Sequence, residues 1–274
     1  MPTHQLVFGC GETPARECSE DDDPLVFLAR EGFGAYELNL GEQLVSDDLK
    51  PQATRMGMLP VLRCCARNGG EGENCLEQAK KLGAAAVSMR VGDPDATEED
   101  SERLVQTVLE NFSKARINLR FEIHPSSAVS GLESAARWCR KFPEVTLAVD
   151  AKQLVKEFDE AGDGTPLIES AAFTSLVPKT VMLRSDISNT SSSADGAAME
   201  VVSGVWRAVM SHWRRHAPAG KWLLFVSDVD PSQHQSVDPK ATWSRLKNYQ
   251  GAAMSCWETA LNASALPANG PTPS

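Results

Sequence analysis

Short apolar runs recur along the whole chain and alternate with longer amphipathic segments. Eight runs have the β-branched or alternating character of strands, and they are residues 5–10, 34–40, 58–65, 84–91, 117–123, 145–150, 180–187 and 221–229. Successive runs begin roughly 25 to 45 residues apart, a spacing that is typical of βα units in a parallel sheet. The pattern therefore predicts eight such units in succession.

The segments between the runs show helical periodicity. In residues 98–115 the apolar side chains fall on one face, Thr97 is placed to cap the helix, and acidic residues fill its first turn. Residues 199–216 form a second helix with basic residues at its end, and residues 239–261 form a third, entered by Asp238 and Pro239. The pattern therefore predicts that a helix follows each strand and covers the sheet.

Eight βα units favour a (β/α)8 TIM barrel, an α/β fold, as a single domain over residues 1–261. A doubly wound open sheet has the same alternation, but residues 9–12, GCGE, lack the glycine spacing of its phosphate-binding turn. The glycine- and serine-rich loops 68–74 and 188–196 are expected to be mobile. The tail 262–274 is expected to be disordered, because it has many small residues and prolines without periodicity.

Charge and composition limit the classes of molecule that the protein is expected to bind. The 274 residues carry a formal net charge of -10 at pH 7, which weighs against binding to nucleic acid or an anionic membrane. We find neither a leader-like N-terminal segment nor an apolar stretch long enough to span a bilayer, so we expect a cytoplasmic protein that acts on a small molecule. Seven scattered cysteines, an odd number, indicate reduced thiols, and the pair Cys64 and Cys65 is predicted to be structural. Homo-oligomerisation is left open.

A barrel places its active site at the carboxyl ends of its strands, and those positions are rich in charged side chains. They are Glu12, Glu37, Asn39, Arg63, Arg90, Asp93, Glu122, His124, Asp150, Arg184, Asp186, Asp228 and Asp230. Several carboxylates in one barrel mouth would repel each other unless a cation neutralises them, and Mg²⁺ or Mn²⁺ suits oxygen ligands. The alternative is that each acid pairs with a local arginine, as Glu122 could with Arg120.

Three segments resemble the xylose-isomerase-like barrels, a family of sugar isomerases, epimerases, dehydratases and lyases. The run Phe121 to Pro125, FEIHP, is similar to the E-N-H segment of that family's fifth strand. Residues 89–95, MRVGDPD, resemble the segment after its fourth strand, and residues 145–154, with Asp150, resemble its L-x-x-D-x-x-H segment. The resemblance extends over about residues 5–260.

The resemblance implies roles for particular residues. The divalent metal, Mn²⁺ or Mg²⁺, would be bound by Glu122, Asp150, Asp186 and Asp228. Glu122 and Asp228 would also be the catalytic bases that move a proton on and off the carbon next to a carbonyl. The substrate, a sugar, keto-sugar or similar polyhydroxylated molecule, is expected to contact the strand-end side chains His124, Arg184, Glu37 and Arg90.

Two departures from the family pattern leave a second hypothesis open. Gln153 stands where the family has a histidine, and the seventh strand reads Leu183-Arg184-Ser185-Asp186 instead of H-x-x-D. Either Asp186 completes a metal site, or Arg184 occupies the place of the metal as a fixed cation. The first option predicts a metal-dependent isomerase, epimerase or lyase. The second predicts a catalytically degenerate barrel that binds a small molecule or acts as a partner subunit.

Overall fold

The structure is a computed structural model of the chain. It describes residues 5–11, 14–16, 19, 23–41, 45–155, 167–187, 195–217, 221–229 and 239–265. Glu12, Asp230 and the cap position Asp238 lie outside these residues, as does most of the loop 188–196.

Eight parallel strands close into a barrel in the order of the sequence. They are β1 (Gln5–Gly11), β2 (Ala35–Asn39), β3 (Leu59–Ala66), β4 (Ala86–Val91), β5 (Leu119–Glu122), β6 (Leu147–Asp150), β7 (Thr180–Ile187) and β8 (Trp222–Val229). Pairing of β1 with β8, from Gln5 opposite Trp222 to Cys10 opposite Ser227, closes the ring. The predicted (β/α)8 barrel is confirmed, and the closed ring excludes the open sheet.

Helices follow the strands and cover the outside of the barrel. They are α1 (Pro24–Arg30), α2 (Leu49–Met56), α3 (Gly69–Leu82), α4 (Glu98–Ala115), α5 (Leu132–Lys141), α6 (Ala171–Leu176), α7 (Asp195–His216) and α8 (Pro239–Ala265), with two 3-10 turns at Leu167–Glu169 and Val177–Lys179. Helix α4 has the predicted bounds, and α8 continues four residues past the predicted boundary at 261. The disorder predicted beyond Ala265 lies outside the described residues.

Helix starts are determined by capping side chains. The hydroxyl of Thr97 accepts a hydrogen bond from the backbone N–H of Asp100 at 3.1 Å, as predicted for α4. The prediction of a mobile loop at 68–74 is wrong. The side chain of Asn68 caps α3, because it accepts a hydrogen bond from the backbone N–H of Glu71 at 3.0 Å. The first turn of α3 therefore starts at Gly69, in a segment whose glycines had suggested a loop.

The core has two layers separated by the strands. Inside the barrel, an apolar layer is formed by Ala35, Val61, Ala148, Met182, Leu224 and Val226. Outside, the apolar faces of the helices pack on the strands. Trp206 of α7 is fully buried and packs edge-on against Phe225 at 4.9 Å between ring centroids. The inner layer separates the two ends of the barrel.

Cysteines in the described part of the chain are all free thiols, in agreement with the predicted reduced state. In the same part, none of the helices has both the length and the apolar character needed to cross a membrane.

Candidate functional site

Polar side chains converge inside the barrel at the carboxyl ends of the strands, above the apolar inner layer. Alternation along each strand turns every second side chain inward. We call the resulting group the mouth cluster, and it consists of Glu37 (β2), Arg63 (β3), Ser88 and Arg90 (β4), Glu122 (β5), Arg184 (β7) and Asp228 (β8). All of them are buried except Arg90, whose side chain is 26% exposed.

Glu122 is the centre of the mouth cluster. Its Oε1 accepts hydrogen bonds from Arg63 Nε and Ser88 Oγ, both at 2.8 Å. Its Oε2 accepts from Arg90 Nε at 2.9 Å and from Arg63 Nη2 at 3.1 Å. Such charge-assisted bonds, two of them from one guanidinium, orient a carboxylate firmly. The acceptor capacity of Glu122 is therefore taken up by these three neighbours.

The pKa of Glu122 reflects these contacts. Burial by itself would raise the pKa, but the positive charges of Arg63, Arg184 and Arg90 outweigh it and hold the pKa far below its ordinary value. Glu122 is therefore a stable carboxylate at neutral pH and a weak proton acceptor.

A second ion pair lies across the barrel from β2 to β7. Arg184 Nη1 contacts both oxygens of Glu37, at 2.6 and 2.7 Å, and lies 3.7 Å from Glu122 Oε1. Arg184 and Glu37 are 2% and 1% exposed. A guanidinium thus lies between two carboxylates.

Asp228 occupies space left by a glycine on the neighbouring strand. A Cβ atom at Gly11 would lie 2.1 Å from the Asp228 Oδ1 atom, so a side chain at position 11 would displace the carboxylate. Asp228 Oδ2 lies 3.9 Å from Arg63 Nη1. The mouth cluster thus balances the guanidinium groups of Arg63, Arg90 and Arg184 with three carboxylates.

The other predicted metal ligands, Asp150 and Asp186, lie on β6 and β7. Asp150 Oδ1 accepts the backbone N–H groups of Lys152 at 2.8 Å and Gln153 at 3.3 Å, which caps the helical turn after β6. Asp186 pairs with Asp228 in the β7–β8 register, but its side chain lies outside the described part. Nowhere among the described residues do three His, Cys, Asp or Glu side chains come together as metal ligands.

The carboxylate oxygens of the described side chains do not fit a divalent ion. The oxygens of Glu122 already accept hydrogen bonds, and three guanidinium groups would repel added positive charge. We therefore derive no chemical step through a metal. The assignments of Glu122, Asp150, Asp186 and Asp228 as metal ligands stay predictions.

His124 belongs to the turn that follows β5, because the strand ends at Glu122. Its Nδ1 lies 2.7 Å from Ser126 Oγ and 3.1 Å from the Ser126 backbone nitrogen, which donates to it. The ring is partly exposed at the rim of the barrel mouth. The turn therefore orients His124 independently of the strand.

Two members of the site were missed by sequence reasoning. Ser88 is a neutral residue in an apolar run, and nothing in the sequence indicated its bond to Glu122. Cys65 is exposed at the end of β3, two residues beyond Arg63, where strand alternation also turns it inward. Partial burial raises the pKa of its thiol, and the charges of Arg90 and Glu122 act on it in opposite directions. The alternation of β3 was the available signal for Cys65.

Comparison with known proteins supports the fold. The chain is similar to the structure of an L-ribulose 3-epimerase, with a TM-score of 0.65 and 12% identity over 98% of this chain and 100% of that one. It is also similar to the probable 3-DHS dehydratase AsbF from Bacillus anthracis, with a TM-score of 0.58 and 11% identity over 90% and 99% of the two chains. A xylose isomerase-like TIM barrel protein from Mycobacterium smegmatis, in complex with magnesium, gives a TM-score of 0.51 and 11% identity over 93% and 98%.

Comparison of the sequence found no match, either to a family model or to a curated protein. At such low identity the structural matches establish the shared fold. The chain is therefore structurally similar to the xylose isomerase-like TIM barrels, a fold it shares with sugar epimerases and dehydratases.

Proposed function

We propose that the barrel mouth binds a small polyhydroxylated molecule that carries a carboxylate or similar anionic group, and that it does so without a divalent metal. The observation that carries this proposal is the position of Arg184, whose Nη1 lies between the carboxylates of Glu37 and Glu122. A permanent cation on the protein already neutralises the carboxylates for which a metal would otherwise be needed.

Arg90 is the side chain best placed to contact an anionic ligand. Arg63 and Arg184 are buried and engaged with carboxylates, whereas the Arg90 side chain donates to Glu122 through Nε and keeps 26% of its surface exposed. Guanidinium groups bind carboxylates through paired hydrogen bonds. Around Arg90, the rim positions Asn39 and Cys65 are exposed, and His124 is partly exposed. These polar groups suit the hydroxyls of a sugar acid.

Proton abstraction by Glu122 is a poor match to this geometry. A general base is most effective when its pKa lies near the working pH, and the arginines hold the pKa of Glu122 far below that range. Binding without turnover, or turnover with another base, is consistent with the same contacts. This agrees with the hypothesis of a catalytically degenerate barrel.

Binding is tested by calorimetry with D-glucuronate and with neutral D-glucose, both in the presence of a chelator. We expect D-glucuronate to bind and D-glucose to bind at least about tenfold more weakly, because the carboxylate pairs with Arg90. The Arg90→Met variant should lose most of the D-glucuronate affinity. Arg140→Met, which removes an exposed arginine of α5, is the matched control and should bind as the wild type does. Equal affinity for the acid and the neutral sugar would contradict the proposal.

A second candidate function is the divalent-metal-dependent isomerase, epimerase or lyase. Its support is the similarity over the whole chain to an L-ribulose 3-epimerase and the magnesium complex of another similar barrel. Thermal unfolding with and without Mn²⁺ or Mg²⁺ separates the two candidates. A bound metal would raise the Tm of the wild type, and it would raise that of Glu122→Gln and Asp150→Asn less. An unchanged Tm in all three proteins favours the metal-free mouth.

A further inference from the structure

A cavity lies at the opposite end of the barrel from the mouth cluster. It has a volume of about 720 Å³ and is lined at the amino ends of the strands by Asn118 before β5, Thr146 before β6 and Lys221 before β8. The last turns of α4 and α7 form its outer walls. We call this space the floor cavity.

Arg120 lines the floor cavity and is only 5% exposed. Among the described residues its Nε has no hydrogen-bond partner, and no carboxylate lies within ion-pair distance of it. Its Nη1 donates to the sulfur of Met182 at 3.7 Å, and its guanidinium lies 5.0 Å from the ring centre of Trp222, which also lines the cavity. A buried guanidinium without an anionic contact is costly, so an anion in the cavity would stabilise it.

The rest of the lining adds positive charge. Arg116 and Lys221 are exposed at the rim. Among the described side chains that line the cavity, Glu144 is the acidic one. A local excess of positive charge in a chain of net charge -10 favours an anionic occupant over a neutral one.

Apolar side chains form much of the remaining wall. Phe112, Ile117 and Val181 line the cavity together with the rings of Trp213 and Trp222. Such a lining, with a few convergent polar groups, is typical of sites for small organic ligands. It suits a ligand with an apolar body and a single charged group more than an inorganic ion.

We propose that the floor cavity is a binding site for a small organic anion with an apolar body, such as an aromatic carboxylate, whose negative group contacts Arg120. The site is separate from the mouth cluster, because the apolar inner layer of the barrel lies between them. Its occupancy does not depend on the function proposed for the mouth.

Burial affects the titration of the groups that would meet the ligand. It lowers the pKa of Arg120 to about 10, and the negative charge of Glu37 opposes that change. Arg120 therefore stays charged at neutral pH. Burial also lowers the pKa of His212, with smaller effects from His216 and Arg215. The attraction on an anionic ligand therefore comes from Arg120, with the basic side chains of Arg116 and Lys221 at the rim.

The test is calorimetric titration of the whole chain with benzoate, with neutral benzyl alcohol and with inorganic phosphate. We expect benzoate to bind, and the other two probes to bind at least about tenfold more weakly. Benzyl alcohol lacks the negative charge that would contact Arg120, and phosphate lacks the apolar body. Arg120→Met keeps the length of the side chain and removes its charge, and it should weaken benzoate binding by at least about tenfold. Arg140→Met should bind benzoate as the wild type does.

Two further variants make the result decisive. Arg90→Met alters the mouth and should leave benzoate binding unchanged, whereas loss of binding in this variant would place benzoate at the mouth and overturn the proposal. If Arg120→Met does not fold, the rim variant Arg116→Met with Lys221→Met takes its place, since both side chains are exposed. Unchanged benzoate affinity in the variant used, or no binding to the wild type, overturns the proposal.

Discussion

At the residue scale, the mouth cluster is a set of buried charges that stabilise one another. The carboxylate of Glu122 accepts hydrogen bonds from Arg63, Arg90 and Ser88. The guanidinium of Arg184 contacts the carboxylate of Glu37. Desolvation of each charge is costly, so the removal of one partner is more harmful than the removal of both. The same cluster determines how the stability of the protein depends on pH.

Removal of one member of the pair between Arg184 and Glu37 should destabilise the fold by about 3 to 5 kcal/mol, because a buried charge loses its partner. The double variant Glu37→Leu with Arg184→Met should cost less than the sum of the two single changes, since neither charge remains. Chemical denaturation of the four proteins measures the free energies of unfolding. Additive costs would contradict the coupling inferred from the contacts at 2.6 and 2.7 Å.

Acidification should remove the stabilisation that Glu122 supplies. Its folded-state pKa is lowered, so its contribution is complete above the unfolded-state pKa of about 4.3 and is lost as the pH falls from there towards the folded-state value. We therefore expect the free energy of unfolding to fall more steeply below about pH 4 in the wild type than in Glu122→Gln. Glu133→Gln, at an exposed position of α5, is the control and should follow the wild type. Identical slopes for the wild type and Glu122→Gln would contradict this assignment.

At the element scale, helix starts depend on single capping side chains and strand alternation determines which groups enter the barrel. The Asn68 cap explains why α3 begins inside a glycine-rich segment. Alternation places Arg63 and Cys65 on the inner side of β3, and Ser88 and Arg90 on that of β4. The end of β5 at Glu122 releases His124 from this alternation and leaves its orientation to the following turn.

Thr97→Ala should destabilise the protein by about 1 kcal/mol, because the N–H of Asp100 would lose the acceptor that caps α4. Thr107→Ala is the matched control in the same helix. The Thr107 hydroxyl donates to the Arg103 carbonyl within the helix, so its loss uncovers no terminal N–H group. Thermal and chemical denaturation compare the two variants, and an equal effect of both would argue against the capping role.

At the scale of the whole molecule, closure of the barrel creates two separate chemical environments. The mouth holds balanced charges at the carboxyl ends of the strands, and the floor cavity holds an unbalanced Arg120 at their amino ends. An apolar layer inside the barrel lies between them. This division is the basis for proposing two independent ligand sites.

Sequence alone determined the eight strands, the barrel and the helix that begins at Glu98, because hydrophobic periodicity and capping are local properties. It also identified Glu37, Arg90, Glu122, Arg184 and Asp228 as strand-end candidates, since a barrel gathers such positions at one end. The partner of each charge was decided only by the tertiary structure. Arg184 meets Glu37 across 147 residues of sequence, and Arg63 meets Glu122 across 59. Charged pairs form according to distances across the closed barrel, which a linear pattern does not contain.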